Sequence, residues 1–333
     1  MRIAIITDAW RPQVNGVVTT LSRTAETLES LGHRVQVTHP GSFRTFPCPT
    51  YPEIRLAWRP YSGMRRQLDA FAPEHIHIAT EGPLGLAGRR YCRRHGLQFT
   101  TSYHTQFPQY VKKRLPIPLA ASFAFLRWFH GAASGTMVAT ASQRRELTDR
   151  GFGNLRPWTR GVDTELFHPG NPANIPDERP IWIYVGRVSI EKSIEDFLAL
   201  EVPGTKYVVG DGPMRAELER RYPAARFTGY RFGTDLANLM GAADVFVFPS
   251  RTDTFGIVML DAMACGLPVA AYPVVGPVDL VEHGKTGYLS EDLREAALAA
   301  LSLDKQACID FARRHSWRHA TEQFVENLVA ART

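Results

Sequence analysis

Short apolar runs alternate with amphipathic helical runs along this chain, and this alternation restricts its possible folds more than any other feature. The first apolar run, Ile3–Ile6, is followed by a helical pattern over Thr19–Ser30, which ends at Gly32. Further strand-like runs occupy residues 34–38, 75–78, 99–103 and 136–139, and a helical run occupies residues 64–71. Strands that alternate with helices predict a parallel sheet with helices on both faces.

A polar stretch rich in proline and asparagine lies between Val162 and Pro180 and predicts a linker. A second series of strands and helices starts at Ile181. We therefore expect two doubly wound domains in a chain of this length, with a ligand-binding cleft at the carboxyl ends of both sheets. The expected divisions are residues 1–170, residues 171–310, and a C-terminal helix over residues 311–333 that returns to the first domain.

Residues 245–269 combine a buried strand, a polar turn and a short helix. Asp253 stands where a helix N-cap belongs, and Asp261 follows about two turns later, on nearly the same helix face as Thr254. An aspartate before a helix is often only a cap, and Asp261 alone can be a solvated side chain. The whole segment instead suits a nucleotide sugar, because carboxylates bind hydroxyls and free amides bind phosphate. The amides in question are those of Thr254, Phe255 and Gly256.

Cations and glycines follow other predicted strands. Arg187 and Lys192 come directly after the first strand of the second series and can contact phosphate oxygens, although exposed Arg and Lys are usually solvated. Glycine lets the backbone approach a ligand closely, and it also forms ordinary turns. The glycines at strand ends are Gly16, Gly186 and Gly212.

The segments around Gly186 and Asp253 together resemble the retaining glycosyltransferases of the GT-B fold, a large group with a Glu-x7-Glu signature known as glycosyltransferase family 4. Asp253 and Asp261 stand where the group has its two glutamates, and Arg187 with Lys192 match its Gly-Arg…Glu-Lys block. The similarity extends over nearly the whole chain. It is greatest with the subgroup that forms bacterial and plastid glycolipids and with GDP-mannose-dependent mannosyltransferases.

The resemblance implies a role for each of these residues. Asp253 would contact hydroxyls of the donor sugar, and Asp261 would contact the ribose. Arg187 and Lys192 would neutralise the leaving diphosphate, so that no metal ion and no other cofactor is required. The other residues that the resemblance places at the donor are Gly16, Gly186, Gly212, Tyr230, Arg231, Thr254, Phe255, Gly256 and, beside the sugar, His104.

Two features concern the acceptor. Glu81 follows a strand and can hold an acceptor hydroxyl, or it can cap the next helix. Lys112, Lys113 and Arg114 precede an aromatic-rich run over residues 120–130, a pattern typical of a segment at a membrane interface and also of an ordinary core helix. The first alternative predicts an anionic membrane surface as a partner and a lipid acceptor, diacylglycerol. A saccharide acceptor is the alternative.

Composition excludes several other classes of protein. The chain is 44% hydrophobic and 22% charged, as in soluble globular proteins, and contains no apolar stretch of transmembrane length. Its N-terminus runs directly into a strand, and its four cysteines lack metal-site or disulfide spacing, so we expect a cytoplasmic protein. The net charge of +6 favours anionic partners, but no motif supports nucleic acid.

The resemblance implies a retaining enzyme, and the basic and aromatic segment predicts that it acts at the inner face of the cell membrane. It would transfer a hexose or hexuronic acid from a UDP-sugar to a lipid hydroxyl. A GDP-mannose-dependent α-mannosyltransferase acting on a glycan or lipid-linked saccharide is the alternative enzyme. A non-catalytic nucleotide-sugar-binding protein is the alternative outside the enzymes, although the presence of both Arg187 and Lys192 favours catalysis. The sequence leaves the donor base, the acceptor and the oligomeric state open.

Overall fold

The chain folds into two units, each built around one parallel sheet. The structure, a computed structural model, describes residues 1–48, 51–104 and 118–332. The first unit comprises the described residues of Met1–Thr159 and Trp317–Thr333, and the second unit comprises Arg160–Ser316. The predicted fold class is confirmed, because both sheets are parallel and are flanked by helices as in Rossmann-like domains.

The sheet of the first unit has, within the described residues, six parallel strands in the order β2-β1-β5-β6-β7-β8. The strands of this unit are β1 Arg2–Ile6, β2 Arg34–Thr38, β3 Thr45–Cys48, β4 Tyr51–Ala57, β5 His75–Ile78, β6 Thr100–Tyr103, β7 Gly135–Val138 and β8 Leu155–Pro157. β3 and β4 pair with each other as an antiparallel hairpin, which the sequence analysis did not predict. The strand order reverses between β1 and β5, and such reversal points are where open α/β sheets bind ligands.

The helices of the first unit are α1 Gly16–Ser30, α2 Tyr61–Phe71, α3 Pro83–His95, α4 Leu119–His130 and α5 Ala141–Asp149. α1 begins three residues earlier than its apolar pattern predicts, because the Asn15 side chain caps it. The Asn15 Oδ1 accepts hydrogen bonds from the amides of Val17 and Val18, at 3.1 and 3.0 Å. α1 therefore starts immediately at Gly16, at the carboxyl edge of the sheet.

The sheet of the second unit has the strand order β11-β10-β9-β12-β13-β14. Its strands are β9 Ile181–Val185, β10 Thr205–Val209, β11 Arg226–Gly229, β12 Val245–Phe248, β13 Val269–Ala271 and β14 Gly287–Leu289. The inner strands are almost wholly apolar, as expected for strands covered on both faces. The strand order of this sheet reverses between β9 and β12.

The helices of the second unit are α6 Ile194–Leu198, α7 Arg215–Arg221, α8 Gly233–Gly241, α9 Ile257–Ala264, α10 Pro277–Leu280, α11 Leu293–Ala300 and α12 Lys305–Arg313. One hydrophobic core of this unit joins the sheet to its helices. In it, Trp182 and Val208 of the sheet pack with Phe197 of α6 and Ala296 of α11.

The last helix, α13 Trp317–Asn327, belongs to the first unit. Its Phe324 is buried in one core with Ile3, Leu21 and Trp158. Near the chain's entry to the second unit, the amide of Thr159 donates to Gln323 Oε1 of α13 at 2.6 Å.

The two ends of the second unit are hydrogen-bonded to each other. Val162 donates its amide hydrogen to the carbonyl oxygen of His315 at 2.9 Å and forms a parallel bridge with Ser316. The chain thus enters and leaves the second unit at neighbouring positions.

Candidate active site

The carboxyl ends of β9 and β12 lie side by side at the point where the strand order of the second unit reverses. Gly186 and Arg187 follow β9, and the loop that leads to Asp253 follows β12. Open α/β sheets bind their ligands in the crevice at this point. The structure therefore brings two segments that are distant in the sequence, and that were predicted to bind the donor, to one edge of one sheet.

Two loops at this edge approach so closely that they require glycine. A Cβ on Gly210 would lie 1.8 Å from the carbonyl oxygen of Gly186, and a Cβ on Gly212 would lie 2.4 Å from that of Val188. The Val188 amide also donates to the carbonyl oxygen of Asp211 at 2.9 Å. The loops after β9 and β10 are thus joined backbone to backbone, and this contact holds Gly186 and Gly212 at the edge.

Lys192 and Asp253 form a charge pair at the same edge. Lys192 Nζ donates to Asp253 Oδ1 at 2.6 Å and to Oδ2 at 2.8 Å. The two side chains are only 22% and 18% exposed. Thr252 connects the same two loops, because its Oγ1 donates to the carbonyl oxygen of Glu191 at 3.0 Å. The expected phosphate-binding cation and the expected sugar-binding acid are therefore in direct contact, which the sequence analysis did not predict.

The helix after Asp253 begins later than predicted. Gly256 is its N-cap and α9 starts at Ile257, so the prediction that Asp253 occupies the N-cap position was wrong. Gly256 has a φ of +79°, a left-handed conformation that glycine adopts without strain and that ends the loop there. Asp261 consequently lies in the second turn of a short helix. The amides predicted to bind an anion at the helix N-terminus precede the helix, and they belong to Thr254, Phe255 and Gly256.

Tyr230 and the exposed Arg231 follow β11 at this edge. The Tyr230 hydroxyl donates to the carbonyl oxygen of Asp211 at 3.1 Å, and its ring stacks on Phe232 with 5.8 Å between ring centroids. Burial raises the pKa of Tyr230, while the positive charge of Arg187 acts in the opposite direction. Arg187 is therefore within electrostatic reach of Tyr230.

Gly16 and His104 lie at the carboxyl edge of the sheet in the first unit. A Cβ on Gly16 would have no atom within 4 Å, so the backbone there is open to close approach by a ligand. His104 follows β6 and its ring is roughly perpendicular to that of Trp158, with 5.5 Å between centroids. The basic residues predicted to bind the membrane, Lys112, Lys113 and Arg114, lie outside the described residues.

Asp8, which the sequence analysis did not single out, is buried at the end of β1. Its Oδ2 accepts from the Thr80 hydroxyl and its Oδ1 accepts from the Leu84 amide, both at 2.9 Å. Burial raises the pKa of Asp8, and these hydrogen bonds partly offset the effect. Asp8 thus caps α3 from a neighbouring strand, since the N-cap residue Gly82 has no side chain. Glu81 is not the cap, and its Oε1 contacts a buried histidine instead.

Two further properties of the described residues concern metal binding and membrane insertion. They contain no group of three or more His, Cys, Asp or Glu side chains arranged to hold a metal ion. None of the helices that the structure describes has the length and apolar character needed to span a bilayer.

Comparison with known proteins identifies the family. Residues 179–304 match the family model for glycosyl transferases group 1, and residues 14–166 match the model for glycosyltransferase family 4. The chain is 32% identical over 315 residues to the GDP-mannose-dependent alpha-mannosyltransferase of Mycobacterium tuberculosis (strain CDC 1551 / Oshkosh), covering 87% of this chain and 83% of the relative. It is 30% identical over 309 residues to sulfoquinovosyl transferase SQD2 of Arabidopsis thaliana, covering 84% of this chain and 61% of the relative.

A further relative and a solved structure agree with this family. The alpha-monoglucosyldiacylglycerol synthase of Streptococcus pneumoniae (strain ATCC BAA-255 / R6) is 27% identical over 346 residues, covering 90% of this chain and 78% of the relative. The sucrose-phosphate synthase structure from Thermosynechococcus elongatus has a TM-score of 0.80 at 22% identity, covering 98% of this chain and 97% of the other, and shows the shared fold.

The fold and the strand-end crevices thus define a sugar-transferring enzyme of the GT-B type. The chain belongs to glycosyltransferase family 4 and is a glycosyltransferase that uses nucleotide sugars, as the sequence motifs predicted.

Proposed function

We propose that this glycosyltransferase moves a hexose or hexuronic acid from a nucleoside diphosphate to a lipid hydroxyl, with retention of anomeric configuration. The observation that carries the proposal is the Lys192–Asp253 pair, which lies with Arg187 at the β9–β12 edge. A diphosphate and a sugar hydroxyl are neighbouring groups in a nucleotide sugar. A cation paired with a carboxylate is suited to the junction between them.

In the proposed reaction, the bond between the anomeric carbon and the diphosphate oxygen breaks. The acceptor oxygen forms its bond to the same face of the sugar, and the departing diphosphate oxygen takes the acceptor's proton. Negative charge therefore grows on the diphosphate in the transition state, where Arg187 and Lys192 stabilise it. Two protein cations supply the charge that a divalent metal ion supplies in other transferases, and so we propose that no metal is required.

Our first candidate donor is a UDP-sugar. GDP-mannose is the second candidate, because the mycobacterial relative is named a GDP-mannose-dependent enzyme. The two candidates differ in the base and the sugar, whereas the diphosphate is common to both. A thermal-shift panel of UDP-glucose, UDP-glucuronic acid and GDP-mannose separates the two bases, since nucleotide sugars with the correct base should raise the melting temperature most.

The two acidic residues are proposed to bind different parts of the donor. Asp261→Ala should weaken binding of the bare nucleotide, because this residue is assigned to the ribose. Asp253→Ala should weaken nucleotide binding less than Asp261→Ala does and should mainly lower the transfer rate, because this residue is assigned to the sugar. Calorimetry with UDP or GDP measures the first effect, and steady-state kinetics measure the second.

Asp310→Ala is a matched control for both variants. Asp310 lies on α12 in the same unit, its side chain is 61% exposed, and its ion pair with Arg313 is long at 3.6 Å. Its removal should change neither nucleotide affinity nor rate. Equal losses of nucleotide affinity in Asp253→Ala and Asp261→Ala would contradict the division of roles.

A basic and aromatic surface on the first unit supports a lipid acceptor. Arg89 of α3 lies over the ring of Trp128 at 3.7 Å, and that tryptophan is 53% exposed. Arg90, Arg93 and Leu86 are also exposed on the same helix. Exposed cations beside exposed apolar groups favour an anionic membrane surface, and each cation there contributes about 1 kcal/mol.

The name of one relative also indicates a lipid acceptor. The name of the pneumococcal relative contains diacylglycerol, the acceptor class proposed here. We therefore infer that the chain docks at the inner face of the cell membrane and glycosylates diacylglycerol. A saccharide acceptor is the second candidate, in keeping with a mannosyltransferase role.

Sedimentation with vesicles tests membrane docking. The wild-type chain should pellet with anionic vesicles and stay in the supernatant with zwitterionic ones. Replacement of Arg90 and Arg93 by serine, or of Lys112, Lys113 and Arg114 by serine, should release it.

The matched control replaces Arg144 and Arg145 by serine, because these residues are exposed on α5 of the same unit. That control should pellet like the wild type. Equal recovery of the wild type with both vesicle types at low salt would exclude docking.

A further inference from the structure

A carboxylate and a histidine form a buried pair at the ligand-binding edge of the first sheet. Glu81 lies in the turn between β5 and α3, and His130 is the last residue of α4. Glu81 Oε1 lies 3.1 Å from His130 Nε2. The His130 side chain is 1% exposed and that of Glu81 is 16% exposed. The pair therefore joins the protein interior to the surface of the crevice between β1 and β5.

The imidazole ring is fixed from its other side as well. His130 Nδ1 lies 2.9 Å from the hydroxyl of Thr101, and that hydroxyl lies 3.0 Å from the hydroxyl of Thr136. Both threonines are buried on neighbouring strands. Because a carboxylate only accepts hydrogen bonds, Nε2 carries the hydrogen and Nδ1 accepts from Thr101. The whole network thus directs one hydrogen-bond donor at Glu81.

The backbone that carries Glu81 is held independently of this ring. Asp8 binds Thr80 and the amides of Leu84 and Gly85, on both sides of the turn. A Cβ on Gly82 would lie 2.5 Å from the Asp8 carboxyl carbon, so the turn packs directly against Asp8. The position of Glu81 is therefore determined at its main chain by Asp8 and at its carboxylate by His130.

Packing of the core alone does not require this arrangement. A buried polar pair is often no more stabilising than apolar residues of similar volume. Here the ring is surrounded by Phe129, Tyr103 and Phe152, with centroids 5.1 to 6.2 Å away, so an apolar side chain would suit the same space. Among the described residues, no hydrogen bond is made by the second carboxylate oxygen of Glu81, Oε2.

We propose that His130 is a positioning residue that holds Glu81 so that its second oxygen accepts a hydrogen bond from the acceptor hydroxyl. The inference rests on the proposed transfer to a hydroxyl and adds what orients that hydroxyl. A carboxylate held at the edge selects a neutral acceptor that donates a hydrogen bond, and it disfavours an anionic acceptor group. A diacylglycerol hydroxyl and a sugar hydroxyl share this chemistry.

Steady-state kinetics with two acceptors test the inference, with dioleoylglycerol in vesicles as one and methyl α-mannoside in solution as the other. Glu81→Gln and His130→Phe should raise the KM for the acceptor about tenfold to a hundredfold, the usual effect of a lost hydrogen bond to a charged group. The KM for the donor should change less than about twofold, because Glu81 is assigned to the acceptor and not to the donor. His130→Gln should recover part of the loss, since its amide can still donate to Glu81.

Two controls separate positioning from a purely structural role. Glu146→Gln removes another partly exposed carboxylate of the same unit, one that pairs with Arg150 at 3.1 Å, and should leave the acceptor KM unchanged. Calorimetry with UDP or GDP and a melting curve establish that each variant is folded, and Glu81→Gln remains informative if His130→Phe is not.

The possible results distinguish this inference from the proposed function. Unchanged acceptor KM in folded Glu81 and His130 variants, with lower melting temperatures, would show that the pair is structural and would overturn the inference alone. Failure of the wild-type chain to glycosylate either acceptor would overturn the proposed acceptor hydroxyl, and the inference with it. If the wild-type chain glycosylates only one of the two compounds, that compound identifies the source of the hydroxyl. A raised KM for that compound in the Glu81 and His130 variants would then support the inference.

Discussion

The contact between Lys192 and Asp253 predicts that these two residues act as one unit in catalysis. We expect Lys192→Ala and Asp253→Ala each to lower kcat/KM for the donor strongly. The double variant should lose much less than the product of the two single losses. The reason is that Lys192 Nζ contacts both oxygens of Asp253, so either substitution also removes the contact that orients the remaining side chain.

The expected losses of rate follow from the contacts of these two side chains. Loss of one contact to the charge that develops in the transition state costs about 2.7–4 kcal/mol, or about a hundredfold to a thousandfold in rate. Two independent losses would therefore reduce the rate about ten-thousandfold or more. Residues in direct contact couple by about 0.5–3 kcal/mol, and the low exposure of this pair, 22% and 18%, limits screening by water. We therefore expect the loss of rate in the double variant to be about tenfold to a hundredfold smaller than the product of the two single losses.

The assay is a double-mutant cycle on kcat/KM, with melting curves to establish that all variants are folded. The control cycle uses Arg318 and Glu322, whose side chains are 3.0 Å apart and 72% and 47% exposed on α13. Neither their single nor their double replacement should change kcat/KM, because exposed pairs of this kind contribute little. A double variant at Lys192 and Asp253 whose loss equals the product of the single losses would refute the shared role.

Three other outcomes are expected. Gly210→Ala should melt at a markedly lower temperature, because its Cβ would lie 1.8 Å from the carbonyl oxygen of Gly186, whereas Gly153→Ala has no atom within 4 Å and should melt like the wild type. Asp8→Asn should gain thermal stability relative to the wild type as pH rises from about 4 to 7. Burial raises the pKa of Asp8 in the folded state, so the contribution of Asp8 to the free energy of unfolding is complete when the carboxyl is protonated. That contribution is lost as pH rises through the pKa of the folded state. Parallel pH profiles of melting temperature for the two proteins would contradict this. Transfer activity should survive excess EDTA, and recovery of a chelated, inactive enzyme on addition of magnesium or manganese would contradict metal independence.

The strands were predictable because their signal is short-range. The apolar run at residues 99–103 became β6, Thr100–Tyr103, and the run at residues 136–139 became β7, Gly135–Val138. Alternation of strands and helices then determined the parallel sheets, since parallel strands need crossover connections. The β3–β4 hairpin was missed because Pro47 interrupts its first strand, and proline within a run argues against a strand.

Contacts at the site were less predictable, because they depend on which strands become neighbours. Lys192 and Asp253 were each identified from local motifs, but they are 61 residues apart and meet only because β9 and β12 are adjacent. Asp253 was misassigned as an N-cap because the left-handed conformation of Gly256 is not visible in a residue pattern. His130 was missed because a single histidine at the end of a helix gives no sign of a carboxylate brought to it from another turn.

The hydrogen bond between Val162 and His315 brings the two ends of the second unit together. The second unit is an insertion within the first, and its two ends leave from adjacent residues. Insertions whose ends are close together tolerate excision and transplantation, because closing the gap requires only a short linker. The second unit, to which we assign the nucleotide sugar, is therefore arranged so that it can be replaced as one block. Under this assignment, we expect replacement of residues 160–316 as one block to change donor specificity more directly than substitution of single side chains.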